Sequence, residues 1–329
     1  MIKKLFCACI YLYQGSAVRN LQDHTVVDND AARLAAYYCN NNADRIIVFD
    51  QSNTDEEHEL ALDTIKKIAI ACEVPVIGAG NVKRMEDVKK LLYAGCAKAV
   101  LHYSKESNIE ITEEVSQKFG KSKILVSYTD TGSLEAHKDL LKEYVSELIC
   151  LDKNQVKNNT GIPTICSLEK ATPEEAKEIL LTDHVSGLTG NVINDTIEDT
   201  FSQKISLAKE GVLVSACEAA MKWSDFKLNS DQMLPVIVQD YKTNEVLMMA
   251  YMNEEAYNST ITTGKMTYWS RSRNELWVKG ETSGHYQYVK SLTADCDKDT
   301  LLAKVSQIPE AIPAFSSRYY RKNIMILTH

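Results

Sequence analysis

Trp269-Ser270-Arg271-Ser272-Arg273-Asn274-Glu275-Leu276-Trp277-Val278-Lys279-Gly280-Glu281-Thr282-Ser283-Gly284-His285, followed after a short β-like run by Asp295-Cys296-Asp297-Lys298-Asp299, is the segment from which the rest of the chain is read. Its first half sets Arg271, Arg273 and Lys279 among the hydroxyls of Ser270, Ser272, Thr282 and Ser283 and the glycines Gly280 and Gly284. Guanidinium forks match pairs of phosphate oxygens, and hydroxyls with close-approaching backbone satisfy the rest, so this set suits a phosphorylated ligand. In the second half, Asp295, Asp297 and Asp299 alternate, and a strand there would turn three carboxylates to one face. Without a cation they would repel one another, so a hard divalent ion is expected. Cys296 would face the other way, and a thiolate is the preferred ligand of a softer metal. The plain alternative for each half is a solvated, charged hairpin.

Outward from this segment the pattern has period two: Val236–Asp240, Glu245–Ala250, Met266–Ser270, Leu276–Val278 and Tyr286–Asp295. Lys242-Thr243-Asn244 reads as a hairpin turn, and Asn253-Glu254-Glu255 opens one short helix. The expectation is a small, mostly antiparallel α+β domain. The polar run Lys222–Ser230, with Trp223 and Phe226 as packing anchors, reads as a linker and first clasp, dividing the chain into 1–222 and 223–329.

Upstream, short β-branched runs alternate with amphipathic stretches. The strand candidates are Leu5–Leu12, Arg45–Phe49, Val74–Ile77, Ala97–Leu101, Ile124–Tyr128, Glu147–Leu151, Ile162–Cys166 and Val185–Leu188. Helices are expected between them, among them Asp28–Asn42, Glu56–Cys72, Met85–Ala94 and Pro173–Leu181. Eight strand–helix units in roughly 210 residues fit a (β/α)8 barrel, with a doubly wound open sheet as the alternative. Gly78 and Gly80 follow one strand and Gly187 and Gly190 another at the equivalent point of the second half, and such glycines let backbone amides reach a phosphate. Tight turns need glycine too, so the signal is weak by itself. Asp50 and His102, at strand ends, are read as loop hydrogen-bonders with catalysis as the alternative.

The chain has 329 residues, 44% hydrophobic and 25% charged, with a net charge of -8, which argues against a nucleic-acid partner. No apolar run approaches the roughly 20 residues that span a bilayer. Lys3-Lys4 followed by Leu5–Tyr13, with Gln14-Gly15-Ser16-Ala17 beyond, mimics a short signal peptide; a buried first strand is the preferred reading. The nine scattered cysteines include no C-x-x-C pair and imply reduced thiols in a cytoplasmic protein.

With Pro235–Asp240, Glu245–Asn253 and Glu281–Gly284 added, the second domain resembles phosphoribosyl-AMP cyclohydrolase of histidine biosynthesis from Leu234 to Gln307. The upstream region resembles the half-barrel repeat of the histidine-biosynthesis barrels, the imidazole glycerol phosphate synthase cyclase subunit and its isomerase relative, over Ala8–Ser104. The first resemblance implies hydrolysis of the adenine N1–C6 bond of 1-(5-phosphoribosyl)-AMP, by an obligate homodimer with active sites between subunits. It also implies zinc held by three cysteines, of which Cys296 matches the first, and magnesium held by Asp295, Asp297 and Asp299. Trp269, Ser270, Arg271, Ser272, Arg273, Lys279, Thr282, Ser283 and Gly284 would bind substrate. His285 is a candidate proton shuttle, with a surface histidine after a glycine turn as the equal alternative.

The second resemblance implies acid–base aspartates at the ends of the first and fifth barrel strands. Here Tyr11 takes the first position, and Val126-Ser127-Tyr128-Thr129 offers none at the second unless Asp130 serves. Tyrosine is a poor base at neutral pH, so the barrel is expected to be a scaffold that has lost its catalysis. At family spacing the remaining zinc cysteines fall at Ile312 and Tyr319, and 312–326 contains no cysteine, histidine or aspartate. An incomplete zinc site and little or no ring opening are therefore expected. Ala311-Ile312-Pro313-Ala314 can be encoded so that a one-nucleotide shift reads His-Thr-Gly, the heart of the missing motif, without restoring the cysteine; genuine divergence of the tail is the larger alternative, and both imply lost zinc. No helical, glutamate-rich pyrophosphatase unit follows before His329, so that activity is not expected.

Overall fold

The computed structural model describes residues 2–157 and 159–307. The chain divides into two compact units, Met1–Ser215 and Ala216–His329. Met221 and Trp223 pack on the core of the second unit, and the Tyr257 hydroxyl donates to the Met221 carbonyl at 2.8 Å. The contacts thus part a few residues before the 222/223 boundary read from the sequence.

In the first unit, β1 (Leu5–Tyr13) is followed by β2 (Ser16–Val18), β3 (Val26–Asp28), β4 (Arg45–Asp50), β5 (Val76–Ala79), β6 (Lys98–His102), β7 (Ile124–Tyr128), β8 (Glu147–Cys150), β9 (Thr164–Ser167) and β10 (Val185–Thr189). From β4 to β10 each strand lies parallel to the next, and β10 returns to pair with β1, which also pairs with β4. That closing pair makes an eight-stranded parallel barrel and excludes the doubly wound sheet. Alternate residues divide between two layers, as the two-residue period of a strand demands. Cys7, Cys9, Tyr11, Ile47, Phe49, Ile77 and Val100 fill the interior, while Ala8, Ile10, Ile46 and Val48 face the helices. Burial on both faces explains why these strands read as unbroken apolar runs.

The helices start where their caps dictate. Asp30 caps Ala31–Asn40, Thr54 caps Asp55–Ala71, and Thr172 with Glu175 forms a capping box around Pro173–Leu181. The antiparallel hairpin β2–β3 on β1 was not expected. Gln14 and Gly15 both take positive φ, 46° and 82°, a two-residue turn that folds the chain straight back. The run that mimics a cleavage site is therefore a turn and a strand, with Ala17 and Val18 buried.

In the second unit β11 (Leu234–Asp240), β12 (Val246–Met252), β15 (Gln287–Ala294) and β16 (Leu301–Gln307) form a sheet in the order β12-β11-β16-β15. Only β11 and β16 run parallel. β13 (Thr267–Ser270) and β14 (Glu275–Val278) form a separate antiparallel ribbon. The helix Glu254–Thr263 is capped by Asn253, whose side chain accepts from the Ala256 N–H, and ends at the left-handed Gly264. Leu234, Val236, Val238, Met252, Leu301, Ala303 and Val305 make the core beneath it. Among the described residues no helix is long and apolar enough to cross a membrane.

Candidate functional site

The β13–β14 ribbon holds the arginines at its tip. Residues 271–274 form the turn, Asn274 takes φ 54°, and Arg271, Ser272 and Arg273 are exposed. The guanidinium of Arg271 stacks on the Tyr251 ring of β12 at 4.0 Å from its centroid. Arg273 donates from Nε to Ser270 Oγ at 3.2 Å, pairs with Glu275 at 3.3 Å, and lies 5.9 Å from the Trp277 centroid. Half-buried Trp269 pairs in register with Leu276. Both guanidinium groups are thus held by aromatic faces and keep donors open to solvent.

A tight loop continues from the ribbon. Gly280 has φ 100°, and a Cβ there would meet the Tyr286 nitrogen at 2.3 Å, so only glycine fits. The N–H groups of Ser283 and Gly284 both donate to the Gly280 carbonyl, at 3.2 and 2.8 Å. The turn exposes Thr282 and Ser283 and sends Lys279 inward, where it is 4% exposed with Nζ 3.5 Å from the His285 carbonyl. His285 is half-buried, and its Nδ1 is enclosed with no hydrogen-bond partner among the described residues. An enclosed, unsatisfied ring nitrogen is costly unless something meets it.

The aspartates depart from expectation. Residues 295–299 are not a strand but the turn between β15 and β16, so the carboxylates do not share one strand face. Asp295 Oδ1 accepts the Asp299 N–H at 3.1 Å, the Asp295 N–H donates to the Thr300 carbonyl, and Lys298 takes φ 60° to close the loop. Asp295, Cys296, Asp297 and Asp299 are all exposed. Among the described residues no set of three or more His, Cys, Asp and Glu side chains converges to hold a metal ion. The donor set therefore does not fit a catalytic zinc or a caged magnesium within the described part of one chain. Ile312 and Tyr319, where family spacing would put the remaining zinc cysteines, lie outside the described residues.

At the barrel mouth Gly78 and Gly187 sit inside strands. A Cβ on Gly78 would meet Leu91 and Cys96 at 2.8 and 2.9 Å, and one on Gly187 the Leu5 carbonyl oxygen at 2.6 Å. These two glycines make room for packing. Gly80 and Gly190 do lie in loops, at φ 92° and 90°, and a Cβ on either would meet a carbonyl oxygen, of Asp50 at 2.1 Å and Leu168 at 2.7 Å.

Tyr11 is buried, and burial drives its hydroxyl far above the ordinary value. Its OH donates to Glu169 Oε1 at 3.1 Å, and Asn191 Nδ2 donates to Glu169 Oε2 at 2.6 Å. Burial also raises the Glu169 carboxyl, a group the sequence reading passed over because it lies in a polar loop with no motif. Asp50 accepts from Ser52 and meets His58 Nδ1 at 2.5 Å. Burial pushes its carboxyl up, but the hydrogen bonds from His58, Ser52 and Asn81 outweigh it and hold the group below its usual range. His102 Nδ1 lies 3.0 Å from Ser127 Oγ, with its ring lowered by burial and Lys105. Exposed Asp130 accepts the Gly132 N–H at 2.9 Å and caps the next turn.

The first unit is a (β/α)8-type barrel, and the family model "Histidine biosynthesis protein" matches residues 6–187. The family model "Phosphoribosyl-AMP cyclohydrolase" matches residues 248–313. A phosphoribosyl-AMP cyclohydrolase of Streptococcus mutans is 63% identical over 87 residues, 26% of this chain and 79% of that protein. One of Clostridium botulinum is 57% identical over 91 residues, 28% of this chain and 82% of that protein. A histidine biosynthesis bifunctional protein of Thermoanaerobacter pseudethanolicus is 56% identical over 87 residues, 26% of this chain but 40% of its own length. The chain belongs to the histidine-biosynthesis protein family, and its second unit to the phosphoribosyl-AMP cyclohydrolases.

Proposed function

We propose that the second unit binds 1-(5-phosphoribosyl)-AMP and is built to open its adenine ring by hydrolysis of the N1–C6 bond. The observation that carries this is the Arg271–His285 segment: two guanidinium groups fixed on aromatic faces, a buried lysine and an enclosed histidine nitrogen on one ribbon and loop. Arg271 and Arg273 would grip phosphate oxygens, each charged hydrogen bond contributing ~1.5–3 kcal/mol. Trp269, Ser270, Ser272, Thr282, Ser283 and Gly284 would complete the cradle. His285 would take the proton that attacking water releases.

Asp295, Asp297 and Asp299 are this chain's candidates for a hard cation such as magnesium, and Cys296 for one thiolate ligand of zinc. They form an incomplete set among the described residues. The second unit would act as a homodimer. Ile237 and Met249 face each other across β11 and β12 and are 37% and 43% exposed, while their neighbours Val236, Val238 and Met248 are buried in the core, leaving a bare apolar strip on the sheet's other face. The protein would work in the cytoplasm on a small-molecule phosphoribosyl nucleotide.

A second reading, in which the chain binds such nucleotides without turning them over, is favoured by the solitary, exposed Cys296. Supplying phosphoribosyl-AMP to the purified chain and following absorbance on ring opening, beside a calorimetric binding titration, separates the two. Binding with turnover supports the first reading, binding alone the second, and no binding by the folded chain opposes both.

A further inference from the structure

A cavity of about 300 Å³ lies between the β2–β3 hairpin, the helix Ala31–Asn40 and the short helix Asn191–Asp195, wholly within the first unit. Three ties brace its walls. Beyond Leu5 and Phe6, where β1 leaves β10, the Asn194 amide takes over the pairing: its Oδ1 accepts the Cys9 N–H and its Nδ2 donates to the Cys9 carbonyl, both at 2.9 Å. Arg19, just after β2, donates from both terminal nitrogens to Asp195 at 2.6 and 2.5 Å. Tyr37, on the first helix, donates to Glu198 Oε1 at 2.5 Å. Val18, Val27, Leu34 and Tyr38 supply apolar wall.

Two observations say what this space takes. Asn191 lines it and is 3% exposed, and its Oδ1 has no hydrogen-bond partner among the described residues. An enclosed acceptor without a donor costs stability, so a ligand N–H is the complement it lacks. The lining also sets two carboxylates, Asp195 and Glu198, against the single guanidinium of Arg19. Asn191 Nδ2 donates to a further carboxylate, Glu169, at 2.6 Å. Burial raises the Glu169 carboxyl, and the charge of Asp195 adds to it, so a cation is favoured here and another anion opposed.

We infer that this cavity binds a small organic cation, a protonated primary amine on an aromatic or branched aliphatic body. The ammonium would donate to Asn191 Oδ1 and lie beside Asp195 and Glu198, with the body against Val18, Val27, Leu34 and Tyr38. The volume stands at the lower end for small-molecule sites, which suits a single ring on a short chain. A phosphate fits poorly, because Arg19 is already engaged by both Asp195 oxygens.

The test titrates the full chain calorimetrically with 2-phenylethylamine. The controls are 3-phenylpropionate, of nearly the same shape and opposite charge, and inorganic phosphate. The amine should bind once per chain, raise Tm, and bind at least about tenfold more tightly than either anion. Val27 is 49% exposed on the edge strand β3, so Val27→Trp should fold normally, narrow the space and abolish binding. Asn191→Leu should weaken binding at least about tenfold by removing the acceptor. The proposal is overturned if the folded chain binds no amine, binds amine and carboxylate alike, or holds the amine as tightly after Val27→Trp as before.

Discussion

Asp295 turns its carboxylate back onto its own hairpin, where Oδ1 accepts the backbone N–H of Asp299 at 3.1 Å. One of the three aspartates is thereby engaged in shaping the turn, and its second oxygen is the one left for a cation. Replacing Asp295 with Ala should loosen the β15–β16 connection by about 1 kcal/mol, read from urea unfolding. An unaltered midpoint would mean that the bond does not hold the turn.

A cation held here should be bound weakly, through Asp297 and Asp299 with that second oxygen. Asp297→Asn should lower the affinity for calcium or magnesium several-fold in a calorimetric titration. Equal binding by both proteins would make the aspartates an ordinary solvated turn.

At the other end of the barrel strands Glu147 receives both Arg45 and Lys98, all three largely buried. Burial alone would raise the Glu147 carboxyl, but Arg45 and Lys98 outweigh it and hold it below its ordinary value of 4.5. A carboxyl depressed by folding stabilises the native state fully above its unfolded value and loses that contribution as pH falls through the folded value. Unfolding free energy should therefore drop below about pH 4.5. Glu147→Gln should cost ~3 kcal/mol at pH 7, because two cations lose their partner, and should flatten that acid slope. The same slope in both proteins would show that the cluster is not the acid-sensitive element.

Much of the fold was legible because the physics is local. All eight barrel strands stand within two residues of where apolar runs place them, and Thr172-Pro173 announces its helix. What was missed depends on context. Gln14-Gly15 is not one of the usual hairpin pairs, so the β2–β3 ribbon was invisible. Leu301–Gln307 does alternate, but its central place in the sheet, parallel to β11, is a long-range pairing that periodicity does not encode. The alternation at Asp295–Asp299 suggested a strand, yet Lys298 adopts a left-handed conformation that ends one. On the ribbon the candidate binding residues were recognisable from charge and hydroxyls together. Glu169 was not, because only closure of the barrel brings it to Tyr11.

Gly80 tests the barrel mouth. An added Cβ would lie 2.1 Å from the Asp50 carbonyl oxygen, with φ at 92°. Gly80→Ala should cost ~3 kcal/mol and displace Asp50 from His58, whereas Gly15→Ala, which meets no atom within 4 Å, should cost far less. Comparable losses would show that backbone conformation alone, without the close approach, sets the cost.

The account rests most directly on nucleotide binding by the Arg271–His285 segment, measured by calorimetric titration of the full chain with 1-(5-phosphoribosyl)-AMP while ring opening is followed by absorbance. Arg271 is exposed and held by Tyr251, so Arg271→Ala should leave Tm nearly unchanged and weaken binding at least about tenfold, ~1.4 kcal/mol. Turnover should be slow and zinc below one ion per chain, since Cys296 is the one candidate thiolate. A folded chain that ignores the nucleotide, or binds it equally well without Arg271, would contradict the assignment of the site; full zinc occupancy with rapid ring opening would contradict the incomplete metal centre.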